Sequence, residues 1–271
     1  MGDKALRCDC ISAFWFMILI CGLLFSVKPL SAGTNEDLLQ KLKSAETLKL
    51  RYEDRRALDI YETVLLFQPN HPEALWNAAY LHVRLGWLGK DRSIQLRHFQ
   101  QAYAQASRIF QLNPERYEAH FVLWAAKANL AEFAGNGEKV KAARELEDHS
   151  RFLLKQRSDD PEVWYFLAWW HFKIARVSRT DRFFAALLFG GLPTGASTDQ
   201  AIKCLQKAII LKPDYSVFHH DLGLFYERTG NPVKAYESYR LATSISPQTP
   251  EDYIYIEKAR RKLAKIKSQV P

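Results

Sequence analysis

Helix-period runs of small and apolar residues return along this chain, and each closes on the same kind of stop. The stops are Pro69, Pro114, Ser158, Pro213 and Pro247. Before them come Ala57, Tyr61 and Val64; Ala102, Ala106 and Ile109; Leu146, Ser150 and Leu153; Ala201, Leu205 and Ala208; and Ala235, Tyr239 and Ala242. The spacing is that of one helix face, and alternating strand patterns are almost absent, so the chain reads as all-α. A recurring helical unit cannot bury its apolar face alone and must stack on its neighbours. With 48% hydrophobic and 25% charged residues, the composition is that of a folding chain and not a disordered one.

The clearest unit runs from Ser216 to Thr249 and carries Leu222, Gly223, Tyr226, Ala235, Tyr239, Ala242 and Pro247. It resembles the tetratricopeptide repeat, two antiparallel helices that approach closely at their small residues. His219 stands where that pattern usually has tryptophan. The weakest unit, between Tyr117 and Asp160, has Leu146, Ser150 and Leu153 where alanine and an aromatic are expected. The predicted fold is a right-handed superhelical solenoid with units at about 36–71, 72–116, 117–160, 161–215 and 216–249. A capping helix at 250–268 follows, with Glu251 and Asp252 in its first turn. The stops are 45, 44, 55 and 34 residues apart, and only the last step has the usual repeat length. The excess falls between paired helices, near Gly86 to His98, Gly135 to Val140 and Arg176 to Thr198, and is predicted to form insertions on one rim.

Residues 1–32 read as a targeting segment ahead of a helical domain at 33–271. Lys4 and Arg7 precede an uncharged stretch from Ile11 to Val27, followed by Lys28, Pro29 and the small residues Ser31, Ala32 and Gly33. A cleaved signal peptide and an uncleaved membrane anchor both fit this pattern. The expected location is the periplasm of a bacterium, free or anchored to the inner membrane. Cys8, Cys10 and Cys21 lie in this segment, so a processed chain keeps Cys204 alone and forms no internal disulfide.

The stretch from Trp164 to Asp252 resembles the regulator of microtubule dynamics family. The likeness rests on a tryptophan-rich helix, the insert Phe183-Phe184-Ala185-Ala186-Leu187-Leu188-Phe189-Gly190, Pro193, the helix from Ala201 to Pro213 and the closing Pro250-Glu251-Asp252. Weaker similarity reaches back to about Trp76. The resemblance implies a helical domain that works by binding, without catalysis, often beside a membrane. In eukaryotic members it implies microtubule association or contacts between organelles. The short approach from hydrophobic segment to first repeat looks more like an exported bacterial relative.

In such a solenoid the first helix of each unit lines the concave face. The predicted groove residues are Trp76, Tyr80, Phe121, Tyr165, Trp169, Phe172, His220 and Leu224, an aromatic and apolar set. The Lys and Asn pattern that captures acidic C-terminal tails is missing from these positions. The insert residues Phe183, Phe184, Leu187, Leu188 and Phe189 admit three readings: filling the groove from within, facing a ligand or partner, or touching a membrane. Lys258, Arg260, Arg261, Lys262 and Lys265 form a basic patch on the capping helix, read first as a solvated face. No nucleic-acid motif accompanies that charge. The eight histidines form no i, i+4 metal pair, Gly135-x-Gly137-x-Lys139 lacks phosphate-loop spacing, and Cys204 reads as a packed small residue. No metal or cofactor is implied. These features predict a non-catalytic scaffold of the cell envelope that binds a protein or peptide in its aromatic groove. A lipid or other hydrophobic ligand is the alternative occupant, and a microtubule or membrane-contact role is the alternative for a eukaryotic source.

Overall fold

The computed structural model describes residues 35–267. By contacts the chain divides into two units, Met1–Leu38 and Leu39–Pro271. The targeting segment predicted at 1–32 lies outside the described residues. Among the described residues the secondary structure is helical throughout, and no helix is long and apolar enough to cross a membrane.

Twelve α-helices follow one another among the described residues: α1 (Asn35–Leu50), α2 (Asp54–Phe67), α3 (Pro72–Leu88), α4 (Arg92–Leu112), α5 (Tyr117–Leu130), α6 (Asn136–Gln156), α7 (Pro161–Ala175), α8 (Arg179–Phe189), α9 (Thr198–Leu211), α10 (Ser216–Arg228), α11 (Pro232–Ser244) and α12 (Pro250–Ile266). Their starts are written locally. Proline opens α3, α7, α11 and α12, where its missing N–H costs nothing. Asp91, Asp160, Ser178, Ser197 and Asn231 accept amide hydrogen bonds as N-caps, and Thr249 with Asp252 closes a full capping box on α12.

Successive helices pack as an all-α solenoid of antiparallel pairs. The small residues lie at the crossings: Ala57, Ala102, Ala106, Ala201, Ala208, Ala235 and Ala242 are fully buried. A Cβ on Gly223 would stand 2.7 Å from the Tyr239 ring, and one on Gly86 would stand 2.4 Å from Phe99, so both crossings are too close for any side chain. The tryptophan position of the template has a specific task. Trp164 Nε1 donates to the Ser158 carbonyl at 2.8 Å, and His120 and His219 present Nε2 to the carbonyls of Pro114 and Pro213 at 2.7 and 2.8 Å. Each bond ties the first helix of a unit to the stop six residues earlier. Histidine therefore replaces tryptophan without loss of the ring N–H.

The irregular middle unit has its own compensation. Trp124 Nε1 donates to the Leu146 carbonyl and to Ser150 Oγ, at 3.0 and 2.8 Å, so the serine that stands where two other units have Tyr61 and Tyr239 serves a buried indole. The excess length departs from prediction in two of its three places. Near Gly86 to His98 it extends α3 to 17 residues and α4 to 21, and near Gly135 to Val140 it makes a short 3-10 turn and a 21-residue α6. Continued helix satisfies backbone groups that a loop would leave to water. Only the third excess is a separate element: α7 packs directly on α9, while α8 is looped out against α6.

Candidate functional site

The inner helices enclose a cavity of about 890 Å³, with α6, α8 and α12 contributing to its walls. Its aromatic lining comes from Tyr80 on α3, Phe121 and Trp124 on α5, and Tyr165, Phe166, Trp169 and Trp170 on α7. These rings are fixed. Trp124 stacks on Phe166 with centroids 4.2 Å apart, and Trp170 Nε1 donates to the Ala143 carbonyl at 2.7 Å. Tyr165 Oη and Trp169 Nε1 both donate to Asp221 Oδ2, at 2.8 and 2.9 Å, from the next unit. Burial raises the Tyr80 and Tyr165 hydroxyls, with nearby carboxylates adding to it, so both stay neutral donors.

Four of the eight predicted groove residues line the cavity: Tyr80, Phe121, Tyr165 and Trp169. The other four sit elsewhere. Trp76 extends the stack, edge-on to Phe121 at 5.9 Å. Phe172 is buried in the core, stacked on Phe225 at 3.9 Å, because its position turns toward the neighbouring unit and away from the concave side. His220 is buried with its Nδ1 2.7 Å from Asp221 Oδ1, so it belongs to the support behind Tyr165 and Trp169. Leu224 is half-buried beyond that network. Of the insert, Phe184, Leu188 and Phe189 face the cavity, and Phe183 and Leu187 do not. Helix α8 therefore builds one wall of the cavity and leaves the space open. Gly137 permits this approach, since a Cβ there would stand 2.9 Å from Phe189.

The cavity wall also carries a buried cluster of charge. Arg84 Nη2 lies 3.2 Å from Asp54 Oδ2 on α2 and 3.3 Å from Glu251 Oε1 on α12, so one guanidinium spans the second helix and the last. Tyr52, Glu162, Lys212 and Tyr215 gather around this cluster. Burial raises the carboxyls of Asp54 and Glu162 toward their neutral forms. Four residues, about one helical turn, beyond Tyr80, Ala125 and Trp169 stand Arg84, Asn129 and Lys173, all of which line the cavity. The basic patch of α12 is divided: Lys258 sits over the Tyr255 ring at 4.0 Å, Arg260 pairs with Glu257, and Lys262 binds Glu227 at 2.9 Å. Arg261 and Lys265 are exposed. Burial pushes the Cys204 thiol up to about 11, which makes it a poor nucleophile.

Residues 38–267 match the sequence profile described as regulator of microtubule dynamics protein 1-3. The chain belongs to that family. Regulator of microtubule dynamics protein 2 of Mus musculus is 23% identical over 151 residues, 55% of this chain and 37% of that protein. The chain thus spans well under half the length of that relative. Among solved structures, the thermophilic tetratricopeptide protein TTC0263 of Thermus thermophilus superposes with a TM-score of 0.58 at 18% identity, covering 82% of this chain and 98% of its own. MamA of Desulfovibrio magneticus RS-1 gives 0.47 at 15%, covering 75% and 91%. The likeness to TTC0263 establishes the tetratricopeptide-type fold of this regulator of microtubule dynamics family member.

Proposed function

We propose that this chain is a non-catalytic scaffold of the cell envelope that takes an apolar segment of a partner protein into its aromatic cavity. The observation that carries this reading is the cavity itself: concave, lined by fixed rings on three successive units, and bearing a charged cluster around Arg84. Rings held in place by Asp221, Ala143 and the Trp124 to Phe166 stack lose little entropy when an apolar group arrives. The charged cluster gives an extended occupant a direction. The envelope assignment rests on Lys4, Arg7 and the stretch from Ile11 to Val27.

A lipid or other hydrophobic ligand is favoured by a different observation. A volume of about 890 Å³ falls within the roughly 300–1,000 Å³ of small-molecule sites. One experiment separates the two. A benzophenone side chain in place of Trp169, in the full chain within its producing cells, is photoactivated and the adducts are weighed. Polypeptide adducts that disappear with Ala128→Phe, which fills the cavity, support the partner segment; lipid-sized adducts with the same behaviour support the ligand. Adducts indifferent to Ala128→Phe contradict both.

A further inference from the structure

We propose that helix α8 docks on an anionic lipid bilayer, laying its outward apolar side chains into the membrane interface. Phe183 and Leu187, one turn apart, are 64% and 66% exposed, and Leu188 beside them is 62% exposed. Phe184 and Phe189 are also exposed, and of the whole helix only Ala185 is buried. Five large apolar side chains on eleven residues are far more than a solvated helix carries, and a patch of this kind marks an interaction surface. The helix is held at its first turn, where Arg182 donates to the carbonyls of Ile174 and Val177, and along the side that packs on α6. Arg144 holds its end by donating from Nη2 to the carbonyls of Phe189 and Gly191, both at 2.6 Å.

Charge selects the occupant. Residues 176–191 contain three arginines, Arg176, Arg179 and Arg182, against Asp181 alone, and Arg144 adds a fourth cation at the far end. A short helix with arginines at its base and Phe and Leu along its outer side is the composition of an interfacial helix on anionic lipid. Apolar side chains project from two adjoining stripes, Phe183 with Leu187 and Phe184 with Leu188. Phe184 and Leu188 also belong to the cavity wall, so docking by α8 brings the cavity mouth to the lipid surface.

The test is hydrogen–deuterium exchange of the full chain, read peptide by peptide, so that the segment at Ile11 to Val27 does not confuse the result. The probes are vesicles of phosphatidylcholine with phosphatidylglycerol and vesicles of phosphatidylcholine alone. Anionic vesicles should slow exchange across 179–191 by roughly tenfold or more, because burying one large apolar side chain shifts a partition equilibrium by about that factor. Neutral vesicles should slow it less. The variant Phe183→Asp with Leu187→Asp should lose this protection while exchange across 216–244 stays unchanged, which shows that the solenoid is intact. Equal protection on both vesicle types, protection that survives the double variant, or no protection overturns the proposal. Slowing that grows with protein concentration without vesicles also overturns it and assigns the face to a second copy of the chain.

Discussion

The unit at 216–249 and the insert at 176–197 are separated in sequence only by α9 and the stop at Pro213, and they obey opposite rules. In the first, Gly223 lies under Tyr239, whose hydroxyl binds Glu227, and the repeat positions Leu222, Tyr226, Ala235, Tyr239 and Ala242 are all inside. In the second, an amphipathic helix keeps almost nothing inside. Small residues at a helix crossing fix the packing of a repeat so tightly that little is left to vary. An insertion beyond the crossing is released from that constraint, and its apolar side chains are available for the surroundings.

Four measurements probe this contrast. The largest effect belongs to Gly223→Leu: with Tyr239 at 2.7 Å from a Cβ, overpacking should cost about 1–3 kcal/mol, and an unchanged thermal midpoint would refute the crossing. Next is acidity, which should strike the lengthened units. His82 and His98 meet through their Nδ1 atoms at 2.9 Å, as do His120 and His149. Burial, reinforced by the neighbouring imidazole, lowers His82 and His149 to about 4. The unfolded chain binds these protons near about 6.5, so stability is full above that pH and falls as pH drops toward about 4. Melting followed by pH should show this slope, and His82→Gln with His149→Gln should flatten it.

A smaller effect is expected for Ser150→Ala, which leaves Trp124 its bond to the Leu146 carbonyl and removes the other. Denaturant unfolding should register a loss of about 0.5–1.5 kcal/mol. The smallest concerns the insert. Phe183→Ser with Leu187→Ser should change stability by no more than about 0.5 kcal/mol, since both side chains are outside. A cost as large as that of Gly223→Leu would mean that α8 is core.

What can be read from sequence alone follows the same division. The stops at Pro69, Pro114, Pro213 and Pro247 and the small residues before them are local signals, and they announce the solenoid. His219 departs from the template in name and preserves its N–H donor in practice. Four groove residues are found because helical spacing alone selects the concave face. Phe172, His220 and Leu224 go astray because spacing does not say which neighbour a helix leans on. Arg84, Asp54 and Glu251 meet only through the curvature of the whole array, which no local pattern encodes. The lengthened α3, α4 and α6 read as insertions because excess length carries no mark of its form.

The central claim is that the aromatic cavity admits an apolar occupant, and its direct measurement is tryptophan quenching by a brominated dodecanoate below its micelle concentration. Trp124, Trp169 and Trp170 line the space and Ala128 stands in its wall. An open cavity predicts saturable quenching in the full chain that Ala128→Phe abolishes. Quenching that rises linearly without saturation, and equally in both proteins, would contradict it.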